Sequence, residues 1–362
     1  MNKIKMCVIG AGNITNSRHI PAIKKNKNFI ELIGVIGNNK EKVKKTAQKN
    51  KISNTFVLEK DENESNNIEK QLKNLKWFEE VEAVIIGTPP KSHFPLVKAC
   101  LNLGKNVLVE KPMTMNKDEA DELIKISNEK KKVFSVMHNF QFSNGMREIE
   151  KRLKNNEFGK IKTISCLQFT NRDRRLPDWY DDLPLGLFYD EAAHFFYLLE
   201  KFGGDLNIFN SFTQFDKSKI ENTPMILNIN LKAGEIPAVI TMNFNSPVCE
   251  WVFILLCEKK IVIYDFFKDI VIIANNDQLH LAKNILKNSI SYTSSFWKGF
   301  IKNGVKLILG NLHYGQDVVI SKFVNNIQKH TNDEMISSKK GKKIVIAMNQ
   351  VIEKNLNIRK EK

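Results

Sequence analysis

Two rhythms of apolar and polar positions divide the chain. From Lys3 to Met137, short unbroken apolar runs alternate with stretches in which apolar residues recur roughly every three to four positions. The runs Ile4–Ile9, Ile30–Ile36, Asn54–Leu58, Val81–Gly87, Val107–Val109 and Val133–Met137 read as strands buried on both faces. Helices are expected after Gly12 and over Glu41–Lys49, His93–Leu103 and Lys117–Lys130. That alternation predicts a parallel, doubly wound sheet. The polar stretch Lys60–Asn67 is expected to be a solvated surface loop, with Ser65 as a candidate cap for a helix carrying Ile68, Leu72 and Leu75.

Past His138 the rhythm changes. After a helix over Asn144–Asn155 come Lys160–Thr170, Ile208–Gln214, Met225–Leu231, Ala238–Asn245, Glu250–Leu256 and Lys260–Asp265, long strands that meander without regular intervening helices. A mostly antiparallel, open sheet covered on one face is the expectation. The fold class is therefore an α/β domain over residues 1–137 followed by an α+β domain over 138–362. Near its end, Ser291–Leu312 sets Tyr292, Phe296, Trp297 and Phe300 among Gly299, Gly304, Gly310 and three lysines. A glycine-interrupted helix pair that covers the core or contacts another subunit is expected, and an interfacial helix lying on a membrane is the alternative. Gly315–Lys329 and Gly341–Lys354 read as final amphipathic helices.

With 362 residues the chain is too long for one ordinary core, in keeping with two domains. Its 56 basic and 40 acidic residues give a formal charge of +16. Nucleic acid, a membrane surface or an anionic substrate would suit that charge. The lysines are scattered and no nucleic-acid-binding motif accompanies them, so a general lysine bias is preferred and only an anionic substrate stays open. The five cysteines form no CxxC pair, which points to a reducing compartment with neither disulfide nor structural metal. A first strand starting at Ile4 leaves no room for a signal peptide, and no apolar run approaches the length of a membrane span. A cytoplasmic protein without an integral span is expected.

Candidate chemistry gathers at the ends of the predicted parallel strands, where open α/β sheets bind ligands. Gly10-Ala11-Gly12-Asn13-Ile14-Thr15 follows the first strand and opens a helix, with Thr15 at the third glycine position of a dinucleotide fingerprint. Gly10 permits the tight turn and Gly12 lets the backbone approach a pyrophosphate. At the end of the second strand the acid that would repel a 2′-phosphate is missing, while Asn38, Asn39 and Lys40 stand there instead, a slight lean to NADP over NAD. Lys111 ends the Val107–Val109 strand. Downstream, Asp190 and His194 sit four apart, so on one helix they would share a face. Between them and the preceding strand, Arg172, Arg174 and Arg175 with Trp179 and Tyr180 read either as a solvated loop or as a loop holding a phosphate, carboxylate or sugar face.

The ordered set of strand, glycine turn, Thr88-Pro89-Pro90 with His93, Glu110-Lys111-Pro112 and Asp190-x-x-x-His194 resembles the glucose-fructose oxidoreductase / inositol dehydrogenase (Gfo/Idh/MocA) family over nearly the whole chain. The resemblance implies a Rossmann domain, an open-sheet domain and NAD(P)-dependent oxidation or reduction of a hydroxyl or carbonyl carbon on a sugar, sugar phosphate, nucleotide sugar or related polyol. It implies a homodimer or homotetramer, with a non-catalytic NAD(P)-binding sensor as the rival. It further places Gly10, Gly12, Asn13 and Ile14 at the pyrophosphate, Thr88, Pro89 and His93 along the cofactor, and Glu110 and Lys111 near the nicotinamide ribose and substrate hydroxyl. Lys111, Asp190 and His194 form the reacting set, and a cis bond before Pro112 is implied. Two departures stand out. The family's repeated glycine before the aspartate is reduced to Leu185-Gly186-Leu187, and alanine replaces glycine within Asp190–His194.

Overall fold

Each apolar run of the first rhythm becomes a strand. Strands β1 (Ile4–Ile9), β2 (Ile30–Gly37), β3 (Asn54–Val57), β4 (Ala83–Ile86), β5 (Asn106–Val109) and β6 (Phe134–Val136) alternate with helices α1 (Ile20–Lys25), α2 (Lys40–Asn50), α3 (Ser65–Lys73), α4 (Lys76–Glu79), α5 (His93–Asn102) and α6 (Lys117–Glu129). The strands pair in parallel in the order β3-β2-β1-β4-β5-β6. β1, β4 and β5 sit in the middle with helices on both faces, and Val8, Ile9, Ile85 and Leu108 have no exposed surface. The computed structural model describes residues 2–59, 65–171, 174, 176–216, 222–309 and 314–360. Of the expected polar loop, Ser65–Asn67 instead begin α3, because Leu72 buries completely and gives the segment a packed face. The remainder, 60–64, lies outside the described residues.

The second rhythm becomes helices α7 (Asn144–Lys154), α8 (Leu187–Glu191) and α9 (Ala193–Gly203), strands β7 (Ile161–Phe169), β8 (Leu206–Gln214), β9 (Ile226–Ala233), β10 (Ile236–Asn243), β11 (Glu250–Cys257), β12 (Lys260–Asp265) and β13 (Ile270–Asn275), and helix α10 (Ala282–Ile308). The seven strands order as β13-β12-β11-β7-β10-β9-β8. Only β7 and β10 run parallel. Period-two burial sorts the sheet into two faces: Ile164, Cys166, Ile240 and Phe253 are fully buried, whereas Phe209 and Phe212 are exposed. The buried face is met by α9, whose Phe195–Leu199 run has no exposed surface. Edge strand β13 adds to the six strands expected from the sequence, and its unbroken apolar run Ile270–Ala274 differs from the alternation of its neighbours.

Two further elements close the chain: α11 (Gln316–Lys329) and α12 (Ser338–Lys360). Contacts divide the molecule into one unit of Met1–Asn139 with Gln316–Ile346 and a second of Phe140–Gly315 with Ala347–Lys362. The chain passes from the first unit to the second after Asn139, and α11 with the start of α12 belongs to the first unit again. Asp317 accepts hydrogen bonds from Lys25 (3.3 Å) and, through its backbone oxygen, from Asn26 (3.1 Å). A Cβ at Gly341 would lie 2.7 Å from Val136. Helical periodicity announces an apolar stripe but does not say which domain supplies its partner. In the second unit, the end of α12 is held by Asn355, buried against Thr213 (3.0 Å) and Ser211 (2.7 Å) of β8.

One buried carboxyl ties the turn before β13 to α7. Asp269 Oδ1 accepts from Gly145 N–H (2.8 Å) and the Tyr264 hydroxyl (3.0 Å), while Oδ2 has no hydrogen-bond partner. Burial pushes this carboxyl above the usual range, partly offset by those hydrogen bonds. The native state therefore holds the Asp269 proton more tightly than the unfolded chain. Stability contributed at acid pH is lost as pH rises from about 3.9 through the raised value. Asp269→Asn keeps the Oδ1 acceptor and removes the titration. Urea unfolding at about pH 5 and about pH 8 should show a shallower decline for the variant than for the wild type, and equal declines would contradict this assignment.

Candidate active site

The first cluster forms where the chain leaves β1 and β4, the adjacent strands at which the sheet order reverses. Gly10 takes φ +105°, and a Cβ there would lie 2.4 Å from the Gly87 oxygen at the end of β4. Thr15 explains its place in the fingerprint: its hydroxyl donates back to the Gly10 oxygen (2.5 Å), locking the turn from inside the helix. Asn16 binds the Gly12 oxygen (3.0 Å) and Thr46 (2.9 Å). At Gly12 a Cβ would meet nothing within 4 Å, so protein packing does not demand this glycine, while Asn13 and Ile14 beside it are exposed. Thr15–His19 widens into a π-turn just ahead of Pro21, which offers no amide hydrogen to the ladder.

That widened turn carries His19, a residue the sequence reading passed over. Its fully buried ring places Nε2 2.8 Å from Glu110 Oε1 at the end of β5, and Nδ1 has no hydrogen-bond partner. Gly87 makes room for it, since a Cβ there would lie 2.6 Å from the ring. Glu110 Oε2 accepts the Lys111 N–H (3.1 Å). Burial raises the Glu110 carboxyl, but the His19 hydrogen bond and charge together with Lys111 outweigh it, and the net displacement is below the usual range. Both carboxylate oxygens are thus held by protein partners. Lys111 follows, half-buried, and its bond to Pro112 is cis, in agreement with the resemblance.

His93 lies at the corner between the ends of β4 and β5. It is fully buried, with Nδ1 2.8 Å from the Pro112 oxygen and Nε2 2.9 Å from the Thr88 oxygen. Burial pushes its pKa down against those two carbonyls. The ring braces the Thr88 and Pro112 turns to each other. Ser92 supports the same corner, its hydroxyl 2.8 Å from Thr88 Oγ1. At the end of β2, Asn39 caps α2 by accepting from Lys42 N–H (2.9 Å), so its side-chain oxygen is committed, while Asn38 and Lys40 are exposed.

The second cluster lies in the other unit. Leu185 takes φ +57°, a left-handed conformation that costs a non-glycine residue about 1–2 kcal/mol. Gly186 takes φ +55°, and a Cβ there would collide with Thr223. Leu185 and Leu187 on either side of it are buried. Asp190 stands on α8 and His194 on α9, joined by Ala192, whose backbone stays helical (φ −65°, ψ −26°). Asp190 is half-buried. His194 is buried with Nδ1 2.9 Å from the Tyr197 hydroxyl, which accepts the Phe140 N–H (3.0 Å). Phe140 meets its ring edge-on at 4.8 Å, and Trp251 lies 5.7 Å away. Aromatic neighbours and one hydroxyl therefore set the ring's direction.

Among the loop residues, Arg174 pairs with Glu191, a buried carboxylate that also accepts from Gln168. Part of its charge is thus balanced by a protein carboxylate. Arg172 and Arg175 lie outside the described residues. Trp179 and Tyr180 are half-buried in the 3₁₀ turn Asp178–Asp182. Glu191 and Gln168 escaped the sequence reading because a glutamate on a helix and a glutamine in a strand carry no signal of burial.

Comparisons with known proteins agree with this architecture. Residues 4–138 match the Gfo/Idh/MocA oxidoreductase family with its NAD-binding Rossmann fold. The match covers the first of the two units and leaves the second to the fold comparison. It is 29% identical to Oxidoreductase P35 of Formosa agariphila over 160 residues, 44% of this chain and 46% of that one. Against the scyllo-inositol 2-dehydrogenase (NADP(+)) IolW of Bacillus subtilis it is 30% identical over 116 residues, 32% of each chain. These matches span half the length of the curated relatives or less. A crystal structure of the WlbA dehydrogenase from Chromobacterium violaceum, in complex with NADH and UDP-GlcNAcA, superposes with a TM-score of 0.72 at 16% identity, covering 98% of this chain and 95% of that one. At that identity the likeness speaks for the fold.

The buried His19–Glu110 pair yields a stability prediction. A carboxyl lowered in the folded state contributes stability above the ordinary glutamate range, and the contribution is lost as pH falls through the depressed value. Glu110→Gln should cost about 1–3 kcal/mol near neutral pH and flatten the loss of stability on acidification, as read by denaturant titration. A variant as stable as the wild type at neutral pH would show that the pair is not a structural tie.

Proposed function

We propose that the protein is an NAD(P)-dependent oxidoreductase acting on a CH–OH or carbonyl carbon of a sugar-like polyol. The observation that carries this reading is the pair of glycine approaches around Gly10 and Gly87, which leave Gly12 facing open space beside the exposed start of a helix. A pyrophosphate suits that place, because helix-terminal N–H groups and the missing Cβ favour a close anion. Gly10, Gly12, Asn13 and Ile14 would hold it. Asn38 and Lys40, exposed at the end of β2, would face the adenosine ribose and accommodate a 2′-phosphate, in keeping with the lean to NADP. Thr88 and Pro89 would border the cofactor, with His93 fixing their turn. When bound, the dinucleotide supplies or accepts the hydride.

The chain's own residues have the remaining tasks. Lys111 places positive charge where negative charge develops on the reacting oxygen. His194, whose Nδ1 lies 2.9 Å from the Tyr197 hydroxyl, carries the proton transfer, because imidazole titrates near neutrality. Asp190, half-buried, orients His194 or binds a second substrate hydroxyl. The polyol class draws support from the inositol dehydrogenase relative, and a nucleotide-sugar member of that class from the neighbouring fold whose crystals hold UDP-GlcNAcA. With Arg174 tied to Glu191, an anionic group on the substrate would fall to Arg172 and Arg175. Trp179 and Tyr180 offer aromatic surface for a sugar face.

Replacing Lys111 by Ala should lower kcat at least about a hundredfold while leaving the NADH or NADPH dissociation constant within about tenfold, a loss confined to the transition state. Isothermal titration with both cofactors, beside a turnover screen on inositols, sugar phosphates and nucleotide sugars, provides the readings. Unchanged turnover in the variant overturns the assignment of Lys111. Binding of neither cofactor overturns the reading as a whole and favours a scaffold of the same fold.

A further inference from the structure

The expected glycine-interrupted helix pair is one continuous helix, α10, of 27 residues. Its orientation is the reverse of an ordinary surface helix. Toward the protein it sets small and polar residues: Asn288 donates to the Asn275 oxygen (3.0 Å), Gly299 lies against Ile270, and buried Asn303 donates to the Lys268 (3.1 Å) and Asp269 (2.6 Å) oxygens. Toward solvent it turns Leu286, Ile290, Trp297, Phe300, Ile301 and Ile308, exposed by 48% to 86%. Glycines at 299 and 304 do not break the helix. Gly299 instead lets it approach β13, where a Cβ would lie 2.9 Å from Ile270.

Charge on the same helix is one-sided. Lys283, Lys287, Lys298, Lys302 and Lys306 lie along it, and no acidic residue occurs from Gln278 to Gln316. At 100° per residue, Lys283, Lys287, Lys298 and Lys302 fall along one flank of the apolar face. An exposed apolar stripe of this size marks an interaction surface. We propose that α10 is an interfacial helix that docks the protein on an anionic phospholipid bilayer, its apolar face at the headgroup–acyl boundary and its lysine flank on the lipid phosphates.

Two physical features select that occupant. A second copy of the same helix would bring lysines against lysines with no carboxylate on α10 to pair them, whereas an anionic lipid surface supplies the missing charge. Exposed Trp297, Phe300 and Tyr292 suit the headgroup level, where amphipathic rings sit. Docking of this kind needs no span, and no helix among the described residues is long and apolar enough to cross a membrane. The proposal is independent of the oxidoreductase reading, since it uses none of the residues assigned to the two clusters.

Co-sedimentation of the purified full chain with phosphatidylcholine vesicles, with and without phosphatidylglycerol, tests it. Binding should appear with the anionic lipid, shift the Trp fluorescence to the blue, and weaken at least about tenfold as ionic strength rises from about 0.1 to about 0.5 M. The double variant Trp297→Glu/Ile301→Glu, at exposed positions, should lose binding at least about tenfold while keeping the wild-type thermal midpoint; a Lys298→Gln/Lys302→Gln variant should lose it in part. Equal sedimentation with and without phosphatidylglycerol overturns the proposal. So does a stable dimer in analytical ultracentrifugation that dissociates in the Trp297→Glu/Ile301→Glu variant, because the face would then belong to a second copy.

Discussion

The turn after β1 runs so close to the end of β4 that the Gly10 and Gly87 backbones leave no space for a side chain, and the first unit's site is arranged around that approach. Because Gly87 lacks a Cβ, the imidazole of His19 fits against the strand end and reaches Glu110 on the neighbouring strand. Because Thr15 returns its hydroxyl to Gly10, the turn is closed by the helix it opens. Three successive strand ends are thereby tied: β1 through the glycine turn, β4 through Gly87 and His93, and β5 through Glu110 and Pro112. Lys111 stands at the end of this chain of contacts. Its backbone direction is inherited from neighbours whose polar atoms are already committed.

The second unit solves the same problem with different means. There a buried imidazole is aimed by a tyrosine hydroxyl and an aromatic enclosure, and the approach to α8 is shaped by Gly186 against Thr223. Charge is conserved for use by being paired away elsewhere. Glu191 absorbs Arg174, and Lys201, whose side chain is 5% exposed, is held by Glu150 and the Gln141 oxygen. Burying an unpaired charge is costly, so arginine and lysine near a core are more often structural than ligand-binding. Arg174 and Lys201 both follow that rule.

Helix α10 shows the limit of reading amphipathicity as a guide to the core. An apolar stripe ordinarily packs inward, because burial of apolar surface drives folding. Here hydrogen bonds from asparagines and the close approach of Gly299 hold the opposite face, and the stripe is left outward. The periodicity is the same in either orientation.

The amino-acid sequence by itself determined the elements and their class. Unbroken apolar runs between amphipathic helices specify a parallel sheet, alternation specifies the open antiparallel one, and the glycine, Glu-Lys-Pro and Asp-to-His motifs locate the chemistry at strand and helix ends. These are local properties, carried by the period of the side chains and the freedom of glycine. Only the tertiary structure decided which side chains are spent on each other. It tied His19 to Glu110 and His93 to two carbonyls, paired Arg174 with Glu191, set His194 against Tyr197, returned α11 to the first unit, and turned α10 outward. Each of these depends on contacts between residues distant in the chain, and residue type alone does not encode which partner a polar atom or apolar stripe will meet.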